Sequence, residues 1–447
     1  MFVKFRSIYT AAFFCASIMS FDASAQDLRG AVVYALENHP AVEGAYLGYK
    51  AAEEGKDIEF SNYFPEISVN ATAGSVYQDN STSRGLSVTR GAAYTALGEA
   101  NISMRQMLFD GFETKNRVGA ADARMQSMDY SLMDMESQIT IRVAQSYIEA
   151  LRIRSALSSL VKQIDVIEDY KERIADMVSE GVADESELQQ ARDVVMIMDG
   201  MRADYEGQLA VAEAQYVEAA GGALPEGSEV PQSLSEYIGS DIGEAIIVAQ
   251  KNHPVLLGAR MDSKAARHDM KAEKAHLYPD FDGELSYLKT DKDDIVGGES
   301  TDARAVFRMT WDFSIGGKQI SSIRKKRYEH QVARANYETL EREIERDIRQ
   351  VYASYVTVKQ KVDLARDRVD LNERLLEAYK VQFEGARISL LSLMRAESQL
   401  FNARLELSDN EYYLLAAEYM ILASLGELQD ILMSDSAEKS EIALNGE

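Results

Sequence analysis

Cysteine is almost absent from this chain: one among 447 residues, Cys15. It lies in a stretch that reads as a secretory signal peptide. Lys4 and Arg6 precede an apolar run from Ile8 to Met19, and Ala23-Ser24-Ala25 supplies a small-residue cleavage site before Gln26. The chain after residue 25 is expected to be exported and free of cysteine, which excludes disulfides and thiol-bound metals. Histidine is scarce too, with five residues and no H-E-x-x-H pair, and no serine elbow is present. Gly316-Gly317-Lys318 lacks the spacing of a phosphate loop. No catalytic, cofactor-binding or metal-binding set is expected, and the chain does not read as an enzyme. Basic residues are outnumbered, 48 Lys and Arg against 73 Asp and Glu, a formal charge of −25. That argues against nucleic acid as a partner. No apolar run after residue 25 approaches the roughly 20 residues of a membrane helix. A membrane-embedded form must then be a β-barrel. Proline is rare, and none occurs between Pro65 and Pro225, so nothing there forces a helix to break.

That proline-free region holds a ladder: Ile139, Val143, Ser146, Ala150, Ile153, Leu157, Leu160, Ile164, Ile167, Lys171, Ile174, Val178. Its alternating steps of four and three form a heptad seam, the pattern of long helices that supercoil together. A helix from Thr114 to Ser179 would be roughly 100 Å long at 1.5 Å per residue. Lys171 interrupts the seam, as does Asn372 in the second ladder described next.

The chain repeats itself. Asn38-His39-Pro40 recurs as Asn252-His253-Pro254, and Phe64-Pro65-Glu66 as Tyr278-Pro279-Asp280, both 214 residues on. Further along the offset falls to 205, where Gln145 and Tyr147 match Gln350 and Tyr352. The second ladder from Ile344 to Phe383 then overlies the first. Such self-similarity is a tandem duplication. His39 and His253, each before a proline, read as structural residues.

Each copy starts with a helix, roughly Leu28–Phe60 or Ile242–Ala275. Two alternating apolar/polar segments follow, the strand signal. One carries Ile67, Val69 and Ala71 against Ser68, Asn70 and Thr72; its counterpart in copy two carries Phe281, Leu285 and Tyr287 against Asp282, Glu284 and Ser286. A helical hairpin comes next, its turn at Gly181-Val182-Ala183-Asp184 or Gly385-Ala386-Arg387. The expected division is a signal peptide 1–25, repeat 1 at 26–222, a linker 223–240, repeat 2 at 241–428 and a flexible tail 429–447. Repeat 1 holds a β-hairpin at about 64–109 and a helical hairpin at about 114–220. Repeat 2 holds them at about 279–313 and 318–425. Tyr63, Phe64, Tyr77, Tyr94, Phe109, Tyr278, Tyr287, Trp311 and Phe313 sit near strand ends, as in the aromatic girdles of outer-membrane barrels. Four strands cannot close a barrel, so several chains must pool them.

The paired Asn-His-Pro helices, the Leu108-Phe109-Asp110-Gly111 and Ile315-Gly316-Gly317 junctions and the glycine-led turns resemble the TolC family of outer-membrane efflux proteins. The similarity spans essentially the whole chain after residue 25. It implies an α+β membrane protein: a homotrimer with a 12-stranded β-barrel, four strands per chain, continued by a long α-helical coiled-coil barrel. It implies a location in the cell outer membrane, in contact with its lipid, with a large periplasmic extension. It implies an exit duct for a tripartite efflux or type I secretion system, meeting a periplasmic adaptor (membrane fusion) protein and an ABC or proton-driven inner-membrane transporter. The Leu108–Asn116 stretch is similar to the secretion branch. The implied gate and adaptor-docking tips comprise Gly181, Asp184, Glu185, Glu187, Gly385, Arg387, Ser392 and Arg395. Ser392 and Arg395 stand where many members carry aspartates that narrow the entrance. Arg387 or Arg395 is expected to pair with acids of the first tip, and the lumen to be acidic. The alternative is a soluble periplasmic coiled-coil scaffold or adaptor, which accounts for the helices but not for four long strands.

Overall fold

The computed structural model describes residues 27–78, 93–239, 241–292, 299–312, 314–385 and 387–433. The signal peptide expected at 1–25 and the residues Phe313 and Ala386 lie outside the described residues. The first half contains helices α1 (Leu28–Asn38) and α2 (Pro40–Ser61), strands β1 (Glu66–Gln78) and β2 (Ala93–Phe109), and helices α3 (Glu113–Ser179) and α4 (Glu185–Ala220). The second half contains α5 (Ile242–Asn252), α6 (Pro254–Ala275), β3 (Asp280–Lys292), β4 (Glu299–Thr310), α7 (Lys318–Glu384) and α8 (Leu390–Leu425). In both halves the four helices have 11, 22, 67 and 36 residues.

The single first helix expected in each half is broken, at His39 and at His253. Proline fixes φ at the first helical position and disfavours helical backbone in the residue before it. Each histidine is therefore extended and caps the helix that follows. His39 Nδ1 accepts from the Ala41 N–H at 3.1 Å, and His253 Nδ1 accepts from Val255 at 3.3 Å. The Asn-His-Pro motif is thus a helix stop and an N-cap in three residues.

α3 is the central stave. Its sheet-side half packs between α2 and α6, and its far half between α4 and α8. α7 pairs with α6 near the sheet and with α8 beyond. The heptad seam is where the core lies: Ile139, Val143, Ala150, Ile153, Leu160, Ile164, Ile167 and Ile174 are buried. Each large aliphatic side chain hidden this way contributes about 1.5–3 kcal/mol. The two polar rungs bond within their own helix. Lys171 pairs with Glu168 at 3.7 Å, and Asn372 Nδ2 donates to the Arg368 carbonyl at 2.7 Å.

The region expected as a linker is strapped to the helices. Leu224 and Leu234 are buried. Buried Glu418 accepts from Ser233 Oγ at 2.8 Å and from the Leu234 N–H at 2.9 Å. Tyr147 donates to the Glu229 carbonyl at 2.8 Å. The tail expected to be flexible from 429 begins otherwise: residues 428–433 are helical, and Leu428 is buried in the same core.

The strands form one antiparallel meander in the order β1-β2-β3-β4, so the two halves join through β2 and β3. Pairing places Ile67, Met104, Leu285 and Ala305 in one row and Val69, Ile102, Tyr287 and Ala303 in the next. These rows belong to one face, which leaves Ile67, Val69, Ile102, Leu285 and Tyr287 exposed. The other face carries ion pairs, Arg105–Asp282 and Arg308–Glu284, each at 2.7 Å. Tyr287, expected at a strand end, is mid-strand opposite Ile102.

Candidate functional site

The tips lie at the far ends of the helical hairpins, and their geometry is nearly the same. Five residues separate α3 from α4 and α7 from α8. The helix-ending residues Glu180 and Gly385 adopt φ −81° and −80°. The two glycines are therefore one position out of step. Gly181 is left-handed, with φ +75°, where a side chain costs about 1–2 kcal/mol. Gly385 is not, with φ −80°, so left-handed backbone calls for glycine at Gly181 and not at Gly385. The counterpart of Gly181 is Ala386.

The caps of the returning helices differ as well. Asp184 takes the extended N-cap backbone of α4 without a side-chain capping bond, and Glu185 and Glu187 occupy its first turn. Acids there suit the positive helix end. Ser389 caps α8 conventionally: its Oγ accepts from the Ser392 N–H and lies 3.2 Å from Ser392 Oγ. Beneath the tips one apolar cluster holds Ile174, Leu188, Ala191, Leu376, Leu390, Leu393 and Met394. Both hairpins rest on it and are braced together.

Arg395 donates to Gln190 Oε1 of α4. It reaches the first hairpin through an amide, not a carboxylate. Among the described residues no ion pair joins Arg387 or Arg395 to Asp184, Glu185 or Glu187. The charges expected to meet are on one end of the molecule but not in contact. Three ion pairs instead clamp α7 to α8 above the second tip: Arg404–Glu373 at 2.7 Å, Arg366–Glu411 at 3.1 Å and Arg368–Glu406.

A buried link that sequence spacing did not single out lies at mid-length. Arg152 of α3 binds Glu149 of its own helix and Asp409 of α8, both at 2.7 Å, and lies over the Tyr413 ring. The two carboxylates hold the guanidinium firmly in its charged form, against the opposing effect of burial. It ties the first long helix to the second hairpin. It lies between the rungs Ala150 and Ile153, where Glu149 and Arg154 are charged too, so the sequence does not set it apart.

At the sheet end, aromatics gather where strands meet helices. Phe60 packs edge-on against Tyr63 and Phe64, Phe109 against Phe112, and Phe281 stacks on Phe307. Phe64, Tyr278 and Trp311 are exposed. At the opposite end of the sheet Tyr77 and Tyr94 are register partners of β1 and β2. Phe112 holds a left-handed backbone, φ +69°, that its counterpart Gly317 adopts freely.

The comparisons agree with this architecture. The chain is 22% identical over 415 residues to the outer membrane efflux protein BepC of Brucella suis biovar 1, covering 91% of this chain and 86% of that one. Its fold matches a membrane protein from Pseudomonas aeruginosa with a TM-score of 0.78, at 18% identity over 90% of this chain and 93% of that one. It also matches the CmeC outer membrane channel of Campylobacter jejuni, TM-score 0.75, at 14% identity over 90% and 86%. The family model for outer membrane efflux proteins matches twice, at residues 31–222 and 245–427, once in each half. The chain belongs to the outer membrane efflux protein family.

Proposed function

We propose that three copies of this chain pool their strands into a 12-stranded barrel and their helices into a tube reaching across the periplasm. The observation that carries this reading is the sheet. One face exposes Ile67, Val69, Ile102, Leu285 and Tyr287, and β1 and β4 are its two outer strands. Such a face is costly in water and suited to lipid, where every strand edge must be paired. Opposite it, Arg105, Asp282, Glu284 and Arg308 suit a water-filled interior. Membrane fractions should yield a heat-modifiable trimer on a gel. A monomer in the periplasmic fraction would overturn the reading and favour the soluble scaffold.

The tube opens at its tips, and the tips meet a periplasmic adaptor that couples it to an inner-membrane transporter. Gly181, Asp184, Glu185, Glu187, Gly385, Arg387, Ser392 and Arg395 are the residues of that end. Arg395, bonded to Gln190 across the two hairpins, is the closing contact. Arg395→Ala channels in planar bilayers should conduct more than wild type; equal conductance would sink this assignment. The relative BepC is named as an outer membrane efflux protein, and this supports efflux as the task. Secretion of a protein is the second reading, resting on Leu108–Asn116.

A further inference from the structure

α6 carries five cations, Arg260, Lys264, Arg267, Lys271 and Lys274, spaced four, three, four and three residues apart. All five are exposed. None makes an ion pair or side-chain hydrogen bond among the described residues. In a chain of charge −25 such an unpaired row stands apart. The corresponding positions of α2, 214 residues earlier, are Tyr46, Lys50, Glu53, Asp57 and Phe60, and there Lys50 is paired with Glu53 at 2.7 Å. The same helix in the same place therefore forms without the row, so helix stability does not demand it. Favourable interaction with the helix dipole is confined to the last turn and applies to Lys274, not to Arg260 at the opposite end.

The row has a side. Asp269 pairs with Arg124 of α3 at 2.5 Å, and it also acts on Lys326 of α7. The two neighbours of α6 therefore converge on the Asp269 side. In a closed wall of helices that short arc is the inner one. At 3.6 residues per turn the five cations lie diametrically opposite Asp269, on the outer surface. Their field is felt locally: burial and then Lys271, Lys264 and Arg267 hold the His268 imidazole below its ordinary pKa, against Asp269. The row also has a height. Lys271 and Lys274 lie within the last turn or so before Ala275, where the chain enters the aromatic belt at Tyr278 and the sheet at Asp280. Arg260 is about 20 Å further along the helix.

We propose that Lys271 and Lys274, extended by Arg267, Lys264 and Arg260, form an outward basic collar that binds the anionic phospholipid headgroups of the membrane leaflet facing the helices. This rests on the barrel reading of the sheet. The headgroup layer is only several ångströms thick, so the two upper lysines make the contact. The lower three act through the field, which screening limits to about 10 Å. An acidic protein surface docking along the tube would instead depend most on the lower three.

The test uses the full assembled chain, delipidated and then offered equal amounts of phosphatidylglycerol and phosphatidylethanolamine, with retained lipid counted by native mass spectrometry. Wild type should favour phosphatidylglycerol. K271Q/K274Q should lower that preference at least about tenfold, given the affinity contributed by each juxtamembrane cation. R260Q/K264Q/R267Q should lower it less than about threefold, and K271R/K274R should retain it. An unchanged preference in K271Q/K274Q overturns the proposal, as does a loss confined to the lower-three variant. Flotation with vesicles separates the two readings. A chain that does not float removes the barrel reading and the collar with it; a chain that floats without lipid preference removes the collar alone.

Discussion

Arg152 of α3 and Thr357 of α7 occupy equivalent turns of the two 67-residue helices, 205 residues apart. Arg152 is buried and holds Asp409; Thr357 is exposed and donates to the Ala353 carbonyl in its own helix. The difference follows from position in the wall. α3 has helices on both sides along its whole length, whereas α7 has neighbours within the chain on one side only. Duplication supplied equal staves, and the unequal surroundings decided which side chains became structural. A shorter helix would leave the apolar rungs of its neighbour uncovered at one end.

The Arg152 contact carries the largest expected effect. Arg152→Met strands two carboxylates, and thermal unfolding of the purified channel should show a loss of about 3–4 kcal/mol. Thr357→Ala should change stability by less than about 0.5 kcal/mol. Equal effects would mean that the two long helices are energetically equivalent.

The junctions give the next largest effect. Gly111 has φ +64°, and a Cβ there would lie 2.6 Å from the Ala275 carbonyl oxygen. Its counterpart Gly316 has no such backbone, and its nearest atom would be 3.7 Å away. Gly111→Ala should cost about 3 kcal/mol and Gly316→Ala under about 1 kcal/mol, read from unfolding midpoints. The sharp entry into α3 is thus closely packed, and the entry into α7 is not.

His253 offers a pH-dependent version. Burial holds its imidazole below the ordinary 6.5, with Asp134 opposing. The folded state then binds its proton less readily than the unfolded chain. Its contribution to stability is complete above about pH 6.5 and is lost as pH falls below that value. The chemistry agrees, since a protonated Nδ1 cannot accept from Val255. His253→Asn keeps a capping oxygen and should flatten the pH dependence of the melting midpoint between pH 7 and 5, by about 1 kcal/mol. An unchanged slope would assign the acid sensitivity elsewhere.

The tips provide the smallest effect. Gly181→Ala should cost about 1 kcal/mol through its left-handed backbone alone, because a Cβ there meets nothing within 4 Å. Gly385→Ala should be neutral or stabilising by about 0.5 kcal/mol. Hydrogen exchange at the two turns would measure the contrast, and equal changes would show that both turns need glycine.

Much of this was legible in the residues. The heptad ladder named the buried face of α3, because helix packing is set by a local period that side chains carry openly. The offsets of 214 and 205 anticipated where equivalent helices begin. Alternation marked the strands. The break at His39 and His253 was missed, although a proline after a histidine is itself a stop signal; the continuous apolar pattern on both sides masked it. The packing of the strap at 223–239 was missed because Leu224 and Leu234 are isolated in a Pro- and Gly-containing stretch with no period. At the tips the glycines were visible, but their one-residue offset was not, since left-handed backbone has no letter of its own.

The long helices, their seams, the strand faces and the duplication are written in the residues, because these arise from periodic burial and local capping. What the charges do depends on how the helices are assembled. Arg152 finds Asp409 across 257 residues, Arg395 finds Gln190 and not an acid, and among the described residues the five cations of α6 pair with no carboxylate. Long polar side chains carry no periodic signature of their partners, and which carboxylate lies within reach is fixed by how distant helices are brought together.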